Sequence, residues 1–106
     1  VSHAAPRSYA FCSDTCYDES IVPIIKNVDL LYHETTFMED MKHRAKETFH
    51  TTTIQAGNIA KLAEVKQLLI GHFSARYNDL NPFLDEIKPV FENTLLALEG
   101  EVFEVI

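Results

Sequence analysis

Four residues of this sequence have side chains able to bind a divalent cation or move a proton near neutral pH, and stand where an element begins or ends: Asp14, Glu34, His50 and His72. Asp14 follows the apolar run Ser8-Tyr9-Ala10-Phe11-Cys12. Glu34 follows Asp29-Leu30-Leu31-Tyr32-His33, and His72 follows Lys66-Gln67-Leu68-Leu69-Ile70-Gly71. His50 stands just ahead of the hydroxyl run Thr51-Thr52-Thr53. A carboxylate with one or more neutral imidazoles is a natural ligand set for a borderline cation such as zinc. No local motif, such as two histidines at i and i+4, binds these residues into a group; their common feature is position. Each also has a plainer role. Asp14 suits a turn or cap, His72 a polar strand exit, His50 the flank of a helix cap, and Glu34 a partner for a surface Arg or Lys. His43 reads as solvated within a charged helix and His3 as part of a terminal tail.

The elements that must position these groups are legible from periodicity. Strands are predicted over 8–12, 29–33 and 66–71 from their short apolar composition. Between them, Ile21, Ile24 and Ile25 predict a short helix over 19–26 with Pro23 near its first turn. The polar, helix-forming stretch 38–48 reads as an exposed helix or ordered lid. Residues 52–64 form an amphipathic pattern capped by the threonine hydroxyls, and 82–91 another, with Asn81 as the cap. Thr94 to Ala97 and Glu101 to Val105 read as two strands of a hairpin turning at Glu99-Gly100. Alternating strands and helices predict a layered α/β domain, in which ligands gather beyond the carboxyl ends of the strands. If the sheet is parallel, Asp14, Glu34 and His72 meet on one edge, with His50 as a fourth candidate on the same rim.

Composition narrows the function. The chain has 106 residues, 46% hydrophobic, with 3 Gly and 4 Pro, enough for a single core and unlike a linker or a repeat. Its net charge of −7 excludes a general charge-driven nucleic-acid binder, while leaving room for an enzyme that holds a polyanion at one cationic spot. Cys12 and Cys16 are too few for a four-thiolate structural zinc and suit small half-buried positions in a reducing compartment. No apolar run reaches the roughly 20 residues of a membrane span. The amino terminus has no apolar core of a secretory signal and no Met, so a cytoplasmic location and a longer parent protein are expected.

Four segments occur in order: Ser13-Asp14-Thr15, His33-Glu34-Thr35-Thr36-Phe37, His50-Thr51-Thr52 and Gly71-His72-Phe73-Ser74-Ala75-Arg76-Tyr77. Together they resemble the carboxyl-terminal half of the ribonuclease Z family, tRNA 3′-processing endonucleases of the metallo-β-lactamase superfamily. The resemblance runs from about Tyr9 to Val105. Thr35 stands where the family has Ala, and Thr51 where it has Ser. The family's His-x-His-x-Asp-His motif, from its amino-terminal half, has no match in these residues, nor does the arm that grips the tRNA elbow.

The resemblance implies half of a metallo-β-lactamase-type αββα sandwich, a mixed sheet with helices packed on it, as one domain over 1–106 with a flexible lead-in at 1–7. It implies that Asp14 bridges two zinc ions and that His72 ligates one of them. His50 would be a non-ligand histidine that protonates the leaving oxygen, oriented by Glu34; Arg76 would anchor a phosphate and Ser74 add a hydroxyl donor. The substrate implied is precursor tRNA. Two zincs need several more donors than this segment offers, so the segment alone is expected to bind zinc weakly and to be inactive. An unpaired half-sandwich would expose an apolar sheet face, which predicts a homodimer and leaves open a metal-free interaction module. A hydrolase of another ester class is the remaining alternative.

Overall fold

A computed structural model describes residues 8–13 and 16–98 of the chain. The lead-in expected at 1–7, Asp14 with Thr15, and the second hairpin strand expected at 101–105 with its turn at Glu99-Gly100 lie outside the described residues. Four strands form one sheet: β1 (Tyr9–Cys12), β2 (Leu30–Glu34), β3 (Gln67–Gly71) and β4 (Thr94–Leu96), in that spatial order. All three described pairings are parallel, with Leu31 beside Ala10 and Leu68, and His33 beside Cys12 and Ile70. The antiparallel partner that would make the sheet mixed falls on the 101–105 segment just named.

Parallel strands need crossovers, and the helices supply them: α1 (Val22–Ile25), α2 (Lys42–Glu47), α3 (Thr53–Ala63) and α4 (Asn81–Ile87). A 3₁₀ turn precedes α1 and another precedes α2, so the helices expected over 19–26 and 38–48 are each tight turns running into short helices. In α3, Thr52 is the N-cap of a capping box: its hydroxyl accepts from Gln55 N–H while the Gln55 side chain accepts from Thr52 N–H. Helix α4 begins at Asn81, with Leu80 rather than Asn81 as its cap. It stops at Ile87 instead of reaching Phe91, because Pro89 lacks the N–H that would continue the ladder.

One apolar cluster joins Leu31, Leu68 and Ile70 of the sheet to Ile59 and Ala60 of α3, to Phe83 and Ile87 of α4, and to Ile25 of α1. Alanines on the inner face of α3 let it lie close to the sheet, and Gly57 lets α4 approach: a Cβ there would meet Ile87 Cγ1 at 3.0 Å. Phe83 is fully buried between the rings of Phe73 and Tyr77, both edge-on to it at 4.8 Å.

The other face of the sheet is different. Phe11, Tyr32, Leu69 and Leu95 lie in register across all four strands. Phe11 stacks on Tyr32 at 4.5 Å and is itself 61% exposed; Tyr9 on the same strand and Leu95 on the opposite edge strand are exposed too, while Leu69 between them is buried. Parallel sheets are ordinarily covered on both faces, so this apolar row is a face built to be covered. Among the described residues no helix is long and apolar enough to cross a membrane.

Candidate functional site

The carboxyl end of β2 starts the site. Glu34, its last residue, is fully buried and accepts from the Thr36 N–H at 3.0 Å, the Thr36 hydroxyl at 2.7 Å and the Thr51 N–H at 2.5 Å. Its partner is therefore not a surface Arg or Lys. The side chain instead ties the loop after β2 to the entry of α3. Backbone bonds tie the same loops: Thr53 N–H donates to Phe37 carbonyl, and Thr35 N–H to Gly71 carbonyl, both within 3.0 Å. Five threonines, at 35, 36, 51, 52 and 53, are buried in this crossing. They can be buried because their hydroxyls and amides find partners locally.

Two histidines enter the same spot from separate elements. His50 follows the end of α2, where Phe49 turns left-handed at φ 60°, and the His50 and Phe49 N–H groups donate back to the Ala45 and Lys46 carbonyls. His72 follows β3 and is itself left-handed, at φ 60°. A non-glycine residue in that region is strained, and its surroundings must hold it there. The two imidazoles lie 5.4 Å apart centre to centre, and ligating atoms of Glu34, His50 and His72 all fall within 4.8 Å of one another.

Between them stands Thr36. Its Oγ1 is 3.1 Å from His50 Nδ1 and 2.9 Å from His72 Nδ1, in addition to its 2.7 Å contact with Glu34. His50 Nδ1 is also 3.5 Å from Glu34 Oε1. Sequence reasoning quoted Thr36 within a motif but assigned it no role. The signal available was a hydroxyl two residues past an acidic strand end, a spacing at which Ser and Thr commonly bond locally.

The other expected residues fall as follows. Ser74 N–H donates to the Thr36 carbonyl at 2.9 Å, and Ser74 Oγ accepts from Arg76 N–H at 3.4 Å. The Arg76 guanidinium lies over the Phe37 ring at 5.7 Å, with one nitrogen 3.4 Å from Met41 Sδ, and among the described residues it forms no salt bridge. Phe37 in turn meets His50 edge-on at 6.3 Å. Arg76 thus reaches the rim of the cluster through one aromatic ring. Asp14 lies outside the described residues. His33, next to Glu34 in sequence, points into the core with its Nδ1 2.9 Å from the Glu34 carbonyl, and burial pushes its imidazole below the ordinary value. His43 is exposed on α2. Among the described residues neither of the two half-buried cysteines forms a disulfide. A cavity of about 390 Å³ opens beside His50, lined also by Cys16, Tyr17, Lys42, Lys46 and Gln55.

The donor set decides how far these residues fit a metal. Both Glu34 oxygens already accept protein N–H or O–H groups, so the carboxylate supports the two loops and has little acceptor capacity left over. His72 and His50 have Nδ1 engaged, which leaves one nitrogen on each ring. A catalytic zinc takes about three protein ligands and an open position. The described residues therefore fit as contributors to a metal site and do not complete one.

No family model matches the chain. It is 59% identical over 99 residues to ribonuclease Z of Phocaeicola vulgatus and 56% identical over 96 residues to ribonuclease Z of Parabacteroides distasonis, matches that cover 93% and 91% of the chain. The chain spans about a third (32%) of the length of these curated relatives. Among solved structures, the metallo-β-lactamase fold protein YhfI from Bacillus subtilis superposes with a TM-score of 0.80 at 30% identity, over 88% of this chain and 38% of that one. The short form of human tRNase Z superposes with a TM-score of 0.64, also at 30% identity, over 80% of this chain and 27% of that one. By sequence and by fold, the chain is similar to the carboxyl-terminal part of ribonuclease Z and carries that part of a metallo-β-lactamase fold.

Proposed function

We propose that this chain is the carboxyl-terminal, substrate-handling part of a zinc-dependent endoribonuclease that cleaves the 3′ extension from precursor tRNA. The observation that carries the proposal is the meeting of Glu34, His50 and His72 around Thr36, from three different elements. The likeness to ribonuclease Z supports the substrate and the reaction class.

His50 is the proton donor to the leaving oxygen, and Glu34, 3.5 Å from its Nδ1, is the positioning residue that orients the ring. Arg76 offers paired N–H donors to a phosphate, with Ser74 beside it, and its freedom from any described salt bridge leaves that guanidinium available. Lys42 and Lys46, lining the cavity beside His50, give an otherwise acidic chain a local cationic spot. Asp14 and His72 are the residues of this chain that would hold zinc, with the remaining ligands supplied by the rest of the longer protein. Bound there, the metal supplies an activated water and neutralises charge on the phosphoryl oxygens.

The exposed aromatics Tyr9 and Phe11 of β1, with Leu95 at the other edge of the same sheet face, are read as the seat of that remaining part, which makes the domain a sandwich. Their exposure also favours a second reading, a homodimer through the same face, which sedimentation of the chain with and without its longer context separates. The function itself is tested in the longer protein on a 3′-extended precursor tRNA. His50→Ala is expected to lower kcat by about 10²–10⁴ with zinc content unchanged. Full activity in that variant, or specific cleavage by these 106 residues with zinc alone, overturns the proposal.

A further inference from the structure

We infer that Thr36 is a positioning residue that holds His50 and His72 in the tautomer with the proton on Nδ1, so that each Nε2 presents a lone pair. The argument is a count of protons. The Thr36 hydroxyl has one proton and two lone pairs, and three polar groups surround its oxygen. The shortest contact, 2.7 Å, is to Glu34 Oε2, which also accepts the Thr36 N–H. As an ionised carboxylate Glu34 has no proton to give, so the hydroxyl proton goes to Glu34. The contacts at 3.1 Å and 2.9 Å must then be donated by the rings, placing a proton on Nδ1 of both. Both Nε2 atoms are left without a proton in the neutral rings.

The two histidines are not held equally. His50 Nδ1 faces a second acceptor, Glu34 Oε1 at 3.5 Å, so its tautomer is set twice. For His72 the Thr36 hydroxyl is the acceptor that the described residues provide. Loss of the hydroxyl should therefore release His72 and spare His50, an asymmetry that general loosening of the fold does not produce. This inference rests on the proposed function for its use, since a lone pair at His72 Nε2 suits a cation. Its test reads ring protons and not cleavage, so either can fail alone.

The experiment is long-range ¹H–¹⁵N correlation of the histidine rings in the ¹⁵N-labelled chain. It is run about two pH units above the ordinary histidine value of about 6.5, with chelator present so that no metal imposes the tautomer. The wild type and Thr36→Ser are expected to show Nδ1–H on both rings. In Thr36→Val, His72 is expected to gain a readily detected Nε2–H form while His50 keeps Nδ1–H. Nε2–H as the main form of either ring in the wild type overturns the inference, as does an unchanged His72 in a folded Thr36→Val. Thr36→Ala replaces Thr36→Val if the latter does not fold. If neither variant folds, the wild-type spectrum decides: Nδ1–H on both rings upholds the assignment and Nε2–H on either refutes it.

Discussion

Glu34→Ala removes the one carboxylate that joins the loop after β2 to the start of α3. Glu34 is fully buried, and its two oxygens take the N–H groups of Thr51 and Thr36 and the Thr36 hydroxyl. Leaving a buried donor without its acceptor costs about 1–3 kcal/mol, and two backbone donors are affected. Removing the buried carboxylate also removes its own desolvation cost, which offsets part of that loss. The net expectation is a destabilisation of about 2–5 kcal/mol, a large share of the roughly 5–15 kcal/mol that holds a domain folded. Glu34→Gln tests the same point more finely. Whichever way the amide turns, its NH₂ faces one of the two backbone donors, so a loss of about 1–3 kcal/mol is expected without any loss of volume. Glu64→Ala is the control, because the Lys26–Glu64 pair at 3.0 Å is solvent-exposed and should be worth no more than about 1 kcal/mol. Urea unfolding followed by circular dichroism measures all three, with the m-value checked for constancy. If Glu34→Ala unfolds within about 0.5 kcal/mol of the wild type, the buried carboxylate does not organise these loops and the reading of the site fails.

Two further predictions follow from other parts of the fold. A Cβ at Gly71 would stand 2.5 Å from the Tyr32 hydroxyl, so Gly71→Ala should push the Tyr32 ring off Phe11 and alter the near-ultraviolet dichroism of the aromatic row; an unchanged spectrum contradicts the close approach. Burial depresses the His33 pKa, so the unfolded chain takes up a proton there first. The stability that depends on His33 is whole above its ordinary value of about 6.5 and is lost as the pH falls towards the folded value. Urea midpoints measured at descending pH should show an acid-side decline that His33→Asn lessens, and equal declines in both proteins would rule this out.

Local chemistry made the elements legible. Short apolar runs such as Leu30-Leu31-Tyr32-His33 read as strands by their length, and the threonine run ahead of α3 offered the hydroxyl cap that Thr52 supplies. Where the reading missed, the reason was also local. Asn81 looked like a cap, but Leu80 caps α4 and Asn81 opens it; Pro89 ended a helix whose apolar spacing invited extension to Phe91. The residue types and the motifs likewise pointed to Asp14, Glu34, His50 and His72 as a group, because position at element ends survives in one dimension; the last three meet, and Asp14 lies outside the described residues.

Tertiary structure decided what each of them does. Whether Glu34 is a ligand, a surface ion-pair partner or a support depends on which N–H groups lie within 3 Å of it, and those come from Thr36 and from Thr51, 17 residues away. Thr36 becomes the hub because three chain segments cross at its hydroxyl, and no spacing in the sequence reports such a crossing. The left-handed residues Phe49 and His72 are themselves not glycine, so their types do not announce the turns. At Phe49 the turn closes the end of α2 through the Lys46 and Ala45 carbonyls, whereas at His72 the ring is held by Thr36, 36 residues away, a contact that local propensity does not contain.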